Sequence, residues 1–389
     1  MIVADLIYPK ATQSSSSERS PWGFLDDYQL RAKQTDQNSC AGVEGLAFPL
    51  LGLFGEVGSL LAALKKRQRD KDAYVSYSKE VIEEFGDVLW YLSNVTGRTG
   101  VTFTELAGRA NINPVQTNGS LNKTDAFEAA VINLGGKAGL VLDHFSTGMF
   151  AENSDRLLSS LAEVFSALIY AATQADVNLI EVAEKNLQKI DSRWPTTRRY
   201  APLFDQEFAA CERLPRKIEM HIVEAKVGDR TCVIQFCNGV EVGSRLTDNK
   251  LSEDDYRFHD VFHLAYAAIL GWSPCLRALL KVKRKSRPTI DEAEDGARAI
   301  LIEEGVSTMI FHHALRLNFF ATVKSLDYSL LKTIHEFVSG YEVDQVPLWQ
   351  WEQAILGGFD VFRKLRVHRR GVVIADLLER SIAFHPNDR

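Results

Sequence analysis

The sequence predicts a mainly α-helical protein, in which two tandem helical repeats precede a C-terminal domain that adds a small β-hairpin to its helices. Three observations predict this fold. Apolar side chains recur with helical periodicity through most of residues 25–195. Three sequence blocks of this region recur in the same order roughly 75–80 residues further along. Beyond Pro195 the pattern changes, because residues 216–238 alternate in polarity around a Gly-Asp turn that is typical of a hairpin.

Composition limits the class of protein. A chain of 389 residues is long enough for two or three domains. Its net charge of −6 argues against a general nucleic-acid binder. The five cysteines are odd in number and form no CxxC pair, which indicates a reduced, cytoplasmic protein. The most apolar stretch, residues 46–64, contains Glu56 and Pro49, so we expect no membrane span.

The first repeat contains four predicted helices. A fourth helix begins at Thr102, where Thr102 and Glu105 have the spacing of a capping box. Residues 1–24 are expected to form a flexible tail, and residues 112–124, rich in Asn, Thr and Gly, a linker. The three earlier helices are predicted at residues 25–35, about 43–67 and 78 to about 98.

The second repeat is predicted from matching blocks. The pattern divides the chain into a first repeat at 25–115, a second at 125–200 and a C-terminal domain at 205–389. One matched pair includes a second cap-and-glutamate spacing, Asn178 and Glu181. The matched blocks are GEVGSLLAAL (55–64) with GKAGLVLDHF (136–145), EEFGDVLWYL (83–92) with AEVFSALIYA (162–171), and TFTELAGRA (102–110) with NLIEVAEKN (178–186).

Three carboxylates of the first repeat are candidates for a metal site. Glu84 and Asp87 are neighbours on one helical face, and their repulsion suggests a cation between them. Glu56 lies in the middle of the apolar second helix and would face them if the two helices pack antiparallel. Such oxygen ligands suit Mg²⁺ or Mn²⁺. A basic run at 65–70 follows, and four of its side chains are candidates to hold a polyphosphate: Lys65, Lys66, Arg67 and Arg69. A solvated acidic face and a basic helix end remain the simpler alternatives.

The segments GLFGEVGSLLAALKK and EEFGDVLWYL, preceded by DDYQLRAKQT, resemble the MazG-like all-α nucleoside-triphosphate pyrophosphohydrolases. The resemblance covers residues 25–110 well and 125–195 weakly. It implies Mg²⁺-dependent hydrolysis of a (d)NTP to the (d)NMP and pyrophosphate. The metal ligands would be Glu56, Glu84 and Asp87, with Glu83 as a further catalytic carboxylate. The chain departs from the family at Ser59, where the E-x-x-E motif has its second glutamate.

The second repeat lacks most of these carboxylates but keeps another motif. Lys137 and Ser166 stand at the positions of Glu56 and Asp87, and Glu163 stands at that of Glu84. The repeat closes with EKNLQKIDSRWP (184–195), which resembles the family's N-x-x-K-x-x-x-R signature. The substrate-binding candidates in addition to the basic run are Asn94, Asn186, Lys189 and Arg193.

The resemblance also implies an assembly. The family builds its sites from paired subunits, so a tandem copy would replace the partner and form a pseudo-dimer with one composite site. An ordinary polar helix face is the alternative for the closing motif. A non-catalytic nucleotide sensor that regulates the C-terminal domain is the alternative for the function, and the sequence leaves homo-oligomer formation open.

The C-terminal domain carries a second set of chemistry-bearing side chains. His259 and His263 have the i, i+4 spacing of a shared metal site, with Asp260 beside them and Asp255 one turn earlier. The basic loop 281–287 and a second helix with acidic residues follow. The expected second site contains His259, Asp260, His263, Glu303 and Glu304, with Glu294 on the same acidic helix. Histidines with ordinary hydrogen bonds and a solvated lysine loop are the alternative.

Overall fold

The computed structural model describes residues 22–36, 43–110, 123–149 and 154–386. The chain divides into two compact units, Met1–Trp194 and Pro195–Arg389, each with its own hydrophobic core. Most of the tail expected at 1–24 and of the linker expected at 112–124 lies outside the described residues.

The described part of the N-terminal unit is helical. The second helix extends to the end of the basic run, so residues 65–70 are its last turns and not a loop between helices, as expected for Lys, Arg and Gln with their high helix propensity. It begins at Ala47, after a 3₁₀ turn at Val43–Leu46. The helices are α1 Gly23–Gln34, α2 Ala47–Asp70, α3 Tyr77–Thr99, α4 Phe103–Ala110, α5 Lys123–Ser146, α6 Ser154–Gln174 and α7 Leu179–Arg193.

Local sequence signals start two of these helices. At α4 the amide of Glu105 donates to the hydroxyl of Thr102 (3.1 Å), and the amide of Thr102 donates to the Glu105 carboxylate (2.9 Å), so the predicted capping box is formed. At α7 the Asn178 side chain accepts from the amide of Ile180, but Glu181 pairs with Lys185 instead of returning to the cap. The second pair is therefore a simple N-cap.

The helices of the two predicted repeats contact one another. Helix α2 runs antiparallel to α3, since Tyr91 covers Gly52 near one end and Lys66 pairs with Glu80 near the other. Helices α5 and α6 form the corresponding pair of the second repeat. The closing helix α7 packs on α3 of the first repeat, and the closing helix α4 packs on α6 of the second. Each closing helix thus contacts, in the opposite predicted repeat, the helix that directly precedes that repeat's own closing helix.

The C-terminal unit combines helices with more strand than the sequence indicated. The predicted hairpin is present as β1 Lys217–Val227 and β2 Arg230–Cys237, but it belongs to a five-stranded antiparallel sheet of order β3-β2-β1-β4-β5. Strands β3 Val240–Glu241, β4 Arg370–Asp376 and β5 Ser381–His385 complete it. Sequence analysis expected strands only in the hairpin and missed β4 and β5, because β4 finds its partner β1 far away in the sequence.

The helices of this unit pack around an aromatic-rich core. Helix α8 Asp260–Ala265 continues into a π-helical turn at Tyr266–Leu270 and packs on the last helix, where Gly358 lets the two approach closely. The proposed single acidic helix is two helices, so Glu294 is separated from Glu303. The remaining helices are α9 Pro274–Leu279, α10 Pro288–Ala293, α11 Ala297–Leu315, α12 Tyr328–Phe337 and α13 Leu348–His368.

Two helices of the N-terminal unit, Ala47–Ala73 and Asp155–Gln174, are long and apolar enough to cross a membrane by length and composition. The expectation of no membrane span therefore stays a prediction. Both helices also contribute side chains to the core of the unit, among them Leu60 and Leu168. A helix that is buried in a protein core can have the same length and apolar composition as a helix that crosses a membrane.

Candidate functional site

Three carboxylates of the N-terminal unit converge. Glu56 of α2 and Glu84 and Asp87 of α3 each place an oxygen within 4.8 Å of the other two. The antiparallel packing of α2 on α3 brings Glu56 to this place, and the i, i+3 spacing sets the other two side by side. All three are half-buried, so their charges interact with little screening by solvent.

The electrostatics of this cluster favour a proton or a cation. Burial, and then the nearby Glu56 and Asp87, raise the pKa of Glu84 to about 8. Burial and the charge of Asp87 also raise the pKa of Glu56, which accepts hydrogen bonds from Glu84 and Ser59. The two glutamates therefore share a proton near neutral pH.

Helix α7 supplies polar groups to the same place. The ammonium of Lys189 lies 2.7 and 2.5 Å from the two carboxylate oxygens of Asp87 and 3.3 Å from Glu83. The amide of Asn186 donates to Asp87 (3.0 Å) and accepts from the hydroxyl of Tyr28 (2.8 Å). Two of the three candidates of the closing motif thus contact the carboxylate cluster from the opposite repeat.

The other substrate-binding candidates lie elsewhere. Asn94 is 5 % exposed and donates to the carbonyl of Trp90, so it is a packing residue of α3. Arg193 stacks on Trp194 at 4.6 Å. The side chains of the basic run pair locally, Lys66 with Glu80, Arg67 with Asp72 and Arg69 with Asp70, and Lys65 is exposed. Of these pairs, that of Lys66 lies nearest the cluster, since Glu80 is one turn from Glu84.

Sequence reasoning missed Tyr28 and Tyr91 as contributors to the cluster and noted Ser59 only as a departure from the family motif. The buried Tyr28 donates a hydrogen bond to Asn186. Tyr91 lies near Glu56 and Asp87, and burial and then those two charges raise its pKa. Ser59 donates a hydrogen bond to Glu56. A tyrosine on the apolar face of a short polar helix is a usable signal, because its hydroxyl needs a partner when buried.

The corresponding positions of the second repeat form an ion pair. The ammonium of Lys137 lies 2.7 Å from Glu163, at the positions that Glu56 and Glu84 hold in the first repeat. Phe165 stands at the position of Gly86 and packs against Phe103 of α4 at 5.0 Å. The second predicted repeat therefore has a salt bridge and an aromatic contact at the positions where the first has its cluster of carboxylates.

The C-terminal unit brings together the second set of predicted residues. Nε2 of His259 lies 3.2 Å from Asp260 and 3.9 Å from Glu304, and Nε2 of His263 lies 3.4 Å from the other oxygen of Glu304. Burial alone would raise the pKa of Glu304, but the contact with His263 and the charges of His263 and His259 hold the pKa at about 2. Gln235 of β2 donates to the second oxygen of Asp260.

Glu303 plays a different part from its neighbour. It is fully buried, and one of its oxygens accepts from Nδ1 of His263 (2.8 Å) and from the Ser273 hydroxyl (2.6 Å). Its other oxygen accepts from the amide of Cys275 (2.8 Å). The carboxylate of Glu303 is therefore saturated by donors and orients His263 from behind.

Three expected participants are structural. Asp255 pairs with Arg369 (2.5 Å) and Arg366 (2.9 Å) rather than with the histidines. In the basic loop 281–287, Arg284 is 1 % exposed and binds Asp295 and Glu342. Glu294 accepts from the amide of Glu342. The buried cation of this loop, Arg284, is therefore neutralised by carboxylates outside the histidine cluster.

A cavity of about 300 Å³ opens beside the histidine cluster. Asp260, His263 and Glu304 line one side of it. Apart from Gln235 and Ser244, the other lining residues are mainly apolar or small, and none of them is basic: Met220, Gly243, Leu246, Leu264, Cys275, Leu276, Ala278, Leu279 and Ile300.

Two known sequences or families are similar to parts of this chain. Residues 199–388 match the MazG C-terminal domain. The Gene 37 protein of Mycobacterium phage L5 is 31 % identical over 99 residues, which are 24 % of this chain and 86 % of that protein. No solved structure matches the chain. The C-terminal half of the chain therefore belongs to the MazG C-terminal domain family, and this match supports a MazG-like protein.

Proposed function

We propose that the N-terminal unit is a metal-dependent nucleoside-triphosphate pyrophosphohydrolase. The convergence of Glu56, Glu84 and Asp87 is the observation that carries the proposal. It agrees with the resemblance of these helices to MazG-like enzymes and with a C-terminal half that belongs to a MazG-associated family. The products would be the nucleoside monophosphate and pyrophosphate.

The residues fit a hard divalent cation. Three oxygens lie within reach of one ion, and burial and then the charges of Glu56 and Asp87 raise the pKa of Glu84, so a cation among these oxygens would be favoured. Mg²⁺ or Mn²⁺ would polarise the phosphate oxygens and acidify the attacking water. Glu83, beside the three ligands, would accept the proton of that water.

The site is composite under this proposal. Lys189 and Asn186 approach Asp87 from the second repeat, so the tandem copy contributes the groups that a partner subunit would supply. The reciprocal packing of α7 on α3 and α4 on α6 supports a pseudo-dimer. When the carboxylates are occupied by a cation, the ammonium of Lys189 is available to the substrate phosphates.

One site per chain follows from the asymmetry of the two interfaces. Gly86 leaves room for Asn186, whose Cβ would lie 3.0 Å from a methyl group at that position. In the second repeat Phe165 fills the equivalent space, and the Lys137–Glu163 pair neutralises the remaining carboxylate. We therefore assign catalysis to the first repeat's carboxylates alone.

A nucleotide sensor without turnover is the second candidate. Ser59 replaces a family carboxylate, and Lys189 already supplies a positive charge to Asp87. A sensor would bind NTP without releasing pyrophosphate. The two candidates share the same residues and differ in the product.

The experiment measures pyrophosphate and orthophosphate from a panel of NTPs and dNTPs with Mg²⁺ or Mn²⁺. We expect pyrophosphate from at least one nucleotide. Glu84→Gln and Asp87→Asn each remove one ligand charge, and we expect each to lower kcat by about 100-fold or more.

Glu163→Gln is the matched control, because it makes the same change at the equivalent position of the second repeat. Its exposed ion pair contributes little, so activity should stay near wild type. Orthophosphate as the product, or full activity in both Glu84→Gln and Asp87→Asn, would contradict the enzyme. Tight nucleotide binding without any turnover would favour the sensor.

A further inference from the structure

We propose that the C-terminal unit holds a transition-metal site of its own. The ligands are Nε2 of His259, Nε2 of His263 and the carboxylates of Asp260 and Glu304. The ion is a divalent one of the series from Mn²⁺ to Zn²⁺. This site is separate from the carboxylates of the N-terminal unit and does not depend on the function proposed for them.

The tautomers of the two histidines carry the first step. Nδ1 of His259 lies 2.9 Å from the carbonyl oxygen of Tyr256, and Nδ1 of His263 lies 2.8 Å from Glu303. A carbonyl oxygen and a saturated carboxylate accept hydrogen bonds, so Nδ1 carries the proton in both rings. When a cation displaces the proton on Nε2, the lone pair of that atom faces Glu304 in both rings. Histidines that ligate metals are held in this way.

The positions of the donor atoms carry the second step. One turn of helix separates the histidines, and His259, Asp260 and His263 offer ligand atoms within 4.8 Å of one another. Glu304 reaches toward the same point from α11, with one oxygen for each histidine. Among the described residues, Nε2 of the buried His263 has no hydrogen-bond partner. A buried polar atom without a partner indicates a missing ligand.

Residues around the proposed ligands hold them in place through hydrogen bonds and a ring contact. Gln235 holds Asp260, Ser273 and the Cys275 amide hold Glu303, and the ring of Tyr256 stacks on His259 at 4.4 Å. A π-helical turn follows α8 directly, and such turns are frequent at functional sites. The alternative triplet of His263, Cys275 and Glu303 is less suitable, since Glu303 already accepts three hydrogen bonds.

The chemistry of the donors selects the ion. Two imidazoles and two carboxylates suit Zn²⁺, Mn²⁺ or Fe²⁺, whereas Mg²⁺ prefers oxygen ligands alone. Because Asp260, His263 and Glu304 line the cavity of about 300 Å³, a bound ion is reachable by a small molecule. No lysine or arginine is among the lining residues, which argues against a polyphosphate in that cavity.

The test measures metal binding by the full-length protein in the Asp87→Asn background, which weakens the N-terminal site. The probes are Zn²⁺ and Mn²⁺ alone, followed by calorimetry and by elemental analysis after gel filtration. We expect one equivalent to remain bound. His259→Ala and His263→Ala should lower the affinity by about 100-fold or more, because each removes a ligand. His312→Ala is the control, since its ring is exposed on α11 and bonds the carbonyl of Thr308.

Two causes would lower metal binding in His263→Ala, poor folding and the lost ligand, and the Glu304→Gln variant distinguishes them. This change keeps the shape of a partly exposed side chain and removes its charge, so its circular dichroism should match wild type while metal affinity falls. Equal metal content in the parent, His259→Ala and Glu304→Gln proteins would overturn the proposal. No bound metal in the parent protein would overturn it as well.

Discussion

At the scale of single residues, burial and the neighbouring carboxylates act most strongly on the carboxyl group of Glu84. Its pKa rises from an ordinary value of 4.5 to about 8, because burial and then Glu56 and Asp87 disfavour its ionised form. The folded chain therefore binds a proton that the unfolded chain releases between these two values. This contribution to stability is fully present below pH about 4.5 and is lost as the pH rises through about 8.

We expect the metal-free protein to lose stability between pH about 5 and about 8, and Glu84→Gln to flatten that decline, because glutamine cannot ionise. Denaturant midpoints measured with a chelator at several pH values in this range would show the difference between the two profiles. Glu163→Gln, with an exposed carboxylate, should follow wild type. Parallel profiles for Glu84→Gln and wild type would show that the fold does not raise the pKa of Glu84.

Ser59 also acts at this scale. Its hydroxyl donates to Glu56 and so favours the ionised form of that ligand, whereas a second glutamate would add repulsion. The departure from the motif of the MazG-like enzymes thus places a hydrogen-bond donor where that motif has a carboxylate. The result is a site with fewer charges that keeps an oriented Glu56.

At the scale of elements, the contact of α3 with α7 joins the two halves of the candidate site. Gly86 allows the approach, since a methyl group there would lie 3.0 Å from Cβ and 3.1 Å from Nδ2 of Asn186. Asn186 is in turn bonded to Asp87 and Tyr28, so it has little freedom to move aside.

Gly86→Ala should separate α7 from α3. We expect a loss of about 1–3 kcal/mol in unfolding free energy from overpacking. We also expect a fall of about tenfold or more in kcat/KM, because Lys189 moves from its place. Gly108→Ala is the matched control, as this exposed helical glycine has no atom within 4 Å of the added methyl group. It should gain up to about 1 kcal/mol and keep its activity. Unchanged kcat/KM in a stable Gly86→Ala protein would argue against a composite site.

At the scale of the whole molecule, the chain consists of two units with separate cores. The core of the first unit extends from Leu25 to Leu187 and that of the second from Ala201 to Leu377. Each core buries dozens of apolar side chains, as independently folding domains do.

We therefore expect residues 1–194 and 195–389 to fold when produced separately. Each fragment should unfold in one cooperative transition, and the first should release pyrophosphate with kcat/KM close to that of the intact chain. Calorimetry and the pyrophosphate assay measure this. Gradual unfolding of either fragment would show that its core depends on the other unit.

The sequence by itself determined the features that helical geometry sets locally. The i, i+3 spacing of Glu84 and Asp87, the i, i+4 spacing of His259 and His263 and the capping box at Thr102 follow from periodicity. The hairpin followed in the same way from a turn between two alternating segments.

The tertiary structure alone decided which of these local features meet. Strand β4 pairs with β1, from which it is separated by most of the C-terminal unit, so no local pattern revealed the sheet. Glu303 and Glu304 are neighbours in sequence, yet the fold buries the first behind His263 and turns the second toward both histidines. Lys189 and Asn186 reach Asp87 because α7 packs on α3. These partners are selected by packing between distant segments, which depends on the shape of the whole core and not on the spacing within one helix.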